Sequence, residues 1–198
     1  MYDALTAQEA WRSDCREMAA LVPGPRVLDL GVGTGTSAVE MARADPARSH
    51  VGADLSAPML RLAARRARRA TVRLCLVRAD ALALPLRDGA FDGATGHSVL
   101  YLLPDAARAL REIRRVVRPG GRVAFLEPAR RPGSLAAALR EGGPRHAAAM
   151  ALWRTMAALH HRFDEERLAA LLASAGLAEA RAWSVLGGYG IMATAVRS

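Results

Sequence analysis

Lysine is absent from this 198-residue chain and cysteine occurs only twice, at Cys15 and Cys75. Two thiols far apart, without the short spacings that gather ligands around a metal, predict reduced, partly buried cysteines and no metal centre. No run approaches the roughly 18 to 20 apolar residues of a membrane-spanning helix, and "MYDALTAQEAW" has neither the basic start nor the apolar centre of a signal segment. A soluble, cytoplasmic protein is therefore expected. Nor is there an internal repeat or a disordered linker. The length fits one domain over residues 1–198, and 52% hydrophobic residues supply its core.

With no lysine, all 28 basic residues are arginine and the formal charge is +9. Such a charge favours anionic partners. Richness in Ala, Arg, Gly and Leu also reads as a compositional bias of the coding genome, and the densest cluster, Arg61, Arg65, Arg66, Arg68 and Arg69, falls on a predicted helix whose default role is a solvated face. No appended RNA-binding module and no basic surface interleaved with aromatics is present, so charge by itself assigns no nucleic-acid function.

What the chain does have is alternation. A helix is predicted over Leu5 to Leu21, broken by Pro23, Gly24 and Pro25 before a first strand, Val27 to Leu30. Ala38, Val39, Met41 and Ala42 form the apolar side of the next helix. A second strand spans His50 to Asp54; Ser56 caps a helix with Pro58 in its first turn that runs to about Arg69. "TVRLCLV", from Thr71, is read as a third strand and "FDGATGHSVL", from Phe91, as a fourth. Pro104 and Asp105 open a helix with Leu110, Ile113 and Val117 at helical spacing, "RPGG" ends it, and "RVAFLEP" is the fifth strand. Residues 133–162 hold one or two helices. Asp164 then caps "EERLAALLASAG", and two last strands, Ala180 to Val185 and Ile191 to Val196, must pair antiparallel because only "GGYG" joins them. The order predicts an α/β Rossmann-like three-layer sandwich with a seven-stranded, mostly parallel sheet and an antiparallel last strand.

The first strand runs into Gly31, Gly33 and Gly35 and then a helix, a turn in which glycines adopt backbone angles closed to other residues and let a ligand approach the main chain. Asp54 closes the second strand about 20 residues further on, where a carboxylate can accept from both hydroxyls of a ribose. Asp80 follows the third strand. Each feature alone is equally a turn or a cap; together, on the edge where open parallel sheets bind ligands, they favour an adenosine-bearing one.

"VLDLGVGTG", "VGADLSAPML", "VRADALALPLRDGAFDGA" and "EIRRVVRPGGRVAFLEP" together resemble the class I S-adenosylmethionine-dependent methyltransferases. Within that superfamily the likeness is to the subgroup containing the ubiquinone and menaquinone C-methyltransferases. The resemblance implies S-adenosylmethionine as cofactor and S-adenosylhomocysteine as product. It places Gly31, Gly33 and Gly35 under the methionine moiety and Asp29 at its ammonium, Asp54 at the ribose, Leu55 and Met59 against the adenine, and Asp80 with Ala81 at the adenine amino group. His97 and Ser98 line the transferring methyl, and Tyr2, with Asp3, closes over the cofactor. The same glycines would also serve a nicotinamide dehydrogenase, but a second nucleotide-binding half and a substrate domain are missing.

Methyl transfer asks the protein mainly to position a nucleophile and exclude water. His97 is the expected base where one is needed, or else a pocket wall bonded to its own loop; Tyr101 is expected to orient a substrate oxygen or form an aromatic wall. Glu127 either faces the substrate or caps the helix beyond it. The helix over residues 1–22 is expected to be a lid and residues 133–162, with Met150, Trp153, Met156 and Leu159, the acceptor pocket. "GHSV" stands where amino methyltransferases carry an "NPPY"-like stretch and quinone C-methyltransferases an Arg-Asn-Val-like one. A small-molecule acceptor with an O, N or C nucleophile is expected, including a lipid or quinone variant in which arginines touch a membrane surface. The alternatives are an RNA methyltransferase and a cofactor-binding protein without catalysis.

Overall fold

The run Val27, Leu28 and Leu30 is buried on both faces, which only a central strand of a covered parallel sheet requires. The protein is described here from a computed structural model covering residues 9–131, 133–158, 160 and 162–198. Among these residues the elements are α1 (Glu9–Leu21), β1 (Arg26–Leu30), α2 (Thr36–Ala44), β2 (Ser49–Asp54), α3 (Ala57–Ala70), β3 (Cys75–Arg78), β4 (Phe91–His97), a 3-10 turn (Leu100–Leu102), α4 (Ala106–Val116), β5 (Val117–Pro128), α5 (Leu135–Ala157), α6 (Glu165–Ser174), β6 (Leu177–Val185) and β7 (Gly190–Arg197). The seven strands form one sheet in the order β3-β2-β1-β4-β5-β7-β6. The first five run parallel and β7 is antiparallel to both its neighbours, as expected from the short link before it.

The caps fall where the sequence puts them. The side chains of Ser56, Asp105 and Asp164 each accept from the backbone N–H three residues on, satisfying donors that a helix start leaves open. Three features differ from expectation. Thr71 does not begin β3; it ends α3 in the left-handed conformation (φ 56°), and the Val72 N–H returns to the Ala67 carbonyl. "RPGG" lies within β5 rather than before it: residues 118–121 loop out opposite Asp92, whose carboxylate accepts from the Arg26 N–H and the Arg118 guanidinium. Cys75 is exposed, because β3 is an edge strand, while Cys15 is buried.

Two cores cover the sheet. One face packs against α4 and α6 through Leu110, Ile113, Leu168 and Leu172; the other against α1, α2 and α5 through Trp11, Met18, Met41 and Met150. α5 is two helical segments meeting at Gly143, whose backbone is not helical (φ 74°), just before Pro144. Among the described residues, no helix is long and apolar enough to cross a membrane.

Phe125, fully buried in β5, packs onto Gly96 of β4 so closely that a Cβ there would lie 2.7 Å from its ring. Phe125→Ala is expected to lower the unfolding free energy by about 3–5 kcal/mol in urea titration. A loss under about 1 kcal/mol would mean that β5 does not hold this core position.

Candidate functional site

Parallel register brings the carboxyl ends of the strands to one edge: Leu30 lies beside Ala53 and Gly96, Asp54 beside Arg78, and His97 beside Leu126. Everything that follows β1, β2, β3, β4 and β5 therefore meets on that side, where wound sheets place their ligands. The turn after β1 is built by glycines in the left-handed region, Gly31 at φ 66°, Gly33 at 53° and Gly35 at 77°. Their surroundings divide them. A Cβ on Gly31 would fall 2.4 Å from the Val99 side chain and one on Gly35 2.9 Å from Ala63, whereas one on Gly33 would meet nothing closer than the Gly31 carbonyl at 3.8 Å. Packing demands the outer two. The middle glycine faces open space.

The Gly33 N–H donates to Asp54 Oδ2 at 2.9 Å, and Asp54 Oδ1 accepts from the Ser56 N–H at 2.8 Å. One carboxylate thus ties the glycine turn to the start of α3. Beside it, Leu55 is 63% exposed and Met59 39%, an apolar surface left open. Asp80 is exposed and accepts from the Leu82 N–H at 2.9 Å, which fixes the turn containing Ala81.

Asp29, 1% exposed in β1, sits opposite Thr95 of β4, whose hydroxyl donates to Oδ1 at 3.0 Å. Burial pushes its carboxyl up to about 7, against the Thr95 and Ser37 hydroxyls, which favour the ionised form. Its Oδ2 is buried with no hydrogen-bond partner.

His97 ends β4 between Trp11 of α1 and Trp153 of α5, with ring centroids 5.0 and 6.1 Å away. The Trp11 indole N–H donates to His97 Nε2 at 2.8 Å. Burial lowers the imidazole to about 4, only partly offset by a hydrogen bond to its own backbone. The ring is neutral, and the nitrogen a base would use already accepts from Trp11. His97 thus forms a hydrogen-bonded wall at this strand end. Ser98 follows at φ 56°, its buried hydroxyl without a partner. Glu127, fully buried, accepts from the N–H groups of Val99, Leu100 and Tyr101, so the cap it makes is on the turn after β4 rather than on the helix beyond its own strand. Burial raises its carboxyl to about 7, while those N–H donors hold it down. Tyr101 is buried edge-on to His160 at 5.5 Å, and burial raises its phenol.

Residues 28–125 match the family model described as "Methyltransferase domain". A curated relative, the demethylmenaquinone methyltransferase of Thermus thermophilus, is 40% identical over 117 residues, covering 59% of this chain and 53% of that protein. Over that stretch the chain is similar to methyltransferase domains. It spans about half the length of the curated relatives it matches. Among solved structures, a SAM-dependent methyltransferase from Aquifex aeolicus superposes with a TM-score of 0.74 at 17% identity, over 99% of this chain and 93% of that one. The cyclase SpnF gives 0.69 at 24%, over 94% and 79%. At these identities the two structures speak for the fold alone.

The methyltransferase fold brings Asp29, Gly31, Gly33, Gly35, Asp54, Leu55, Met59, Asp80, Ala81, His97, Ser98 and Tyr101 to the strand ends or into the strands leading there. Tyr2 and Asp3 lie outside the described residues. Sequence reasoning missed Thr95 and Ser37, the hydroxyls around Asp29; a threonine in the middle of a buried strand was the available signal. In α5, Met150 and Trp153 are core, Met156 is 39% exposed, and Leu159 is not described.

The three glycines make different demands. Gly33→Ala is expected to cost about 1–2 kcal/mol of stability for its left-handed backbone. Gly31→Ala should cost more, since its methyl also collides with Val99. Thermal or urea unfolding of both variants checks this, and the reverse order would contradict it.

Proposed function

We propose that the chain binds S-adenosylmethionine along this edge and transfers its methyl group to a small molecule. The observations that support the reading best lie at the ends of β1 and β4. Among the described residues Asp29 Oδ2 and Ser98 Oγ are buried without hydrogen-bond partners, and the direction above Gly33 is open. A buried carboxylate oxygen with no donor suits an ammonium group, and a glycine with free space above it suits an amino acid laid across the main chain. Asp54 retains lone pairs for ribose hydroxyls beyond its two backbone donors. Leu55 and Met59 would cover one face of the adenine, and the Asp80 to Ala81 turn its edge.

The bound cofactor supplies an electrophilic methyl on a sulfonium, so the chain itself needs no strong acid. Its residues hold and exclude. Glu127 fixes the Ser98 to Tyr101 turn through three N–H groups, and that turn sets the wall beside the acceptor. Trp11 and Trp153 close over His97 from α1 and α5, keeping water from the strand end. We read these two helices as the cover of the acceptor pocket. His97, neutral and bonded to Trp11, positions that cover. Given the name of the curated relatives, a quinol-type ring is the first acceptor to test, and the product would be S-adenosylhomocysteine.

Calorimetry with S-adenosylmethionine should show binding that Asp54→Ala weakens by about tenfold or more, the loss of about 1.4 kcal/mol. Undiminished affinity would remove Asp54 from the site. Transfer of a labelled methyl to a quinol then separates this reading from the two alternatives: label appearing only in RNA supports a nucleic-acid enzyme, and tight binding without transfer to any acceptor supports a binding protein.

Asp29 adds a pH signature. Below its pKa of about 7 the free site holds a protonated carboxyl, and pairing with an ammonium requires the ionised form, so binding releases a proton. Affinity should therefore climb as pH rises from about 5 to about 7, by up to about tenfold per unit, and level off above. Asp29→Asn should bind weakly and without this slope. A slope that survives the substitution would place its origin elsewhere.

A further inference from the structure

Thr95, fully buried between Ala94 and Gly96 of β4, brings a hydroxyl into the middle of the sheet. A polar group there costs stability unless it is bonded. In parallel register Thr95 lies beside Asp29 of β1 on one side and Ala124 of β5 on the other, so Asp29 and Thr95 share one face of the sheet, the face covered by α1 and α2. The hydroxyl has two acceptors within reach, Asp29 Oδ1 at 3.0 Å and the Leu28 carbonyl at 3.4 Å. It has a single hydrogen to give.

We propose that Thr95 is a positioning residue, whose hydroxyl holds Asp29 by Oδ1 so that Oδ2 is kept for the ammonium of the ligand. The ammonium rests on the S-adenosylmethionine reading; the hold rests on the geometry of β1 and β4. A hydrogen bond to a carboxylate is stronger than one to a neutral carbonyl, so ionised Asp29 captures the Thr95 proton. A protonated Asp29 has a hydrogen of its own to give, and the Thr95 hydroxyl then turns to Leu28. The bond is therefore made in the form of Asp29 that an ammonium needs. It fixes one oxygen from the neighbouring strand and leaves the other, buried and without a hydrogen-bond partner among the described residues, to meet the ligand. Every element around Asp29 bears on this balance. Burial drives its carboxyl up; Thr95 opposes the rise most strongly, then Ser37 of α2, while Asp54 of β2 adds to it. Cys15 of α1, its thiol pushed well up by burial and then by Asp29, stays neutral.

The carboxyl carbon resonance of Asp29, followed by NMR against pH in the intact chain without ligand, reads the hold directly. Thr95→Val removes the donor at nearly constant volume, Thr95→Ala removes it with a smaller side chain, and Thr95→Ser keeps it. The titration midpoint is expected to rise by about one pH unit or more in Thr95→Val and Thr95→Ala, and to return close to that of the unsubstituted chain in Thr95→Ser. Calorimetry with S-adenosylmethionine reads the presentation of Oδ2: affinity at pH 7 should fall about fivefold or more in Thr95→Val and recover in Thr95→Ser. An unchanged midpoint in the donor-less variants, or an equal rise in Thr95→Ser, would overturn the proposal. A raised midpoint in a chain that binds no S-adenosylmethionine at any pH supports the hold of Thr95 on Asp29 and overturns the methyl-donor reading instead.

Discussion

The site hangs on the bond from the Gly33 N–H to Asp54. It joins the end of β1 to the end of β2 across the glycine turn, and through the Ser56 N–H the same carboxylate fixes the start of α3. Residues 21 apart in sequence are thereby held in one geometry before any ligand arrives. The adjoining glycines serve that bond: Gly31 has to admit Val99 and Gly35 has to admit Ala63, so that the turn can close while Gly33 stays bare. Order-of-magnitude arguments agree, since a charge-assisted hydrogen bond is about twice as strong as a neutral one.

Around that bond the domain tolerates buried carboxyl groups that cost it stability. Asp29 and Glu127 both lie in strands that flank β4, and burial raises both towards neutrality. Because their folded-state values lie above the unfolded ones, the native state binds more protons between about 4 and 7, and their contribution to stability falls as pH rises through that range. His97 works in the opposite sense: its imidazole is lowered to about 4, so below about 6.5 the unfolded chain takes up the proton and stability falls on acidification. Glu127 spends its burial on three N–H groups of one turn. Asp29 keeps one oxygen without a donor among the described residues.

Much of this was legible in sequence because periodicity and turn chemistry are local. The succession of strands and helices, the helix starts at Ser56, Asp105 and Asp164, and the antiparallel final pair followed from short-range patterns. Local reasoning failed where a distant partner decides. Thr71 resembles a strand residue by propensity but closes α3, and "RPGG" resembles a helix stop but bulges around Asp92, a partner 26 residues away from Arg118. For His97 the local sequence left both a base and a pocket wall open, and only the fold shows Trp11, 86 residues distant, donating to it. The arginine cluster split in the same way: Arg66 bonds to Thr34 and Thr36 at the start of α2, while Arg61, Arg65, Arg68 and Arg69 are exposed.

These strands converge on one spatial claim, that the amino-acid end of the methyl donor lies on the bare main chain at Gly33 with its ammonium at Asp29 and its ribose at Asp54. A crystal structure of the chain with S-adenosylmethionine tests it most directly. The account predicts the ammonium within hydrogen-bonding distance of Asp29 Oδ2 or of a water held by it, and both ribose hydroxyls on Asp54. A donor lodged away from this edge, or an Asp54 carboxylate that touches only Gly33 and Ser56 in the complex, would contradict it.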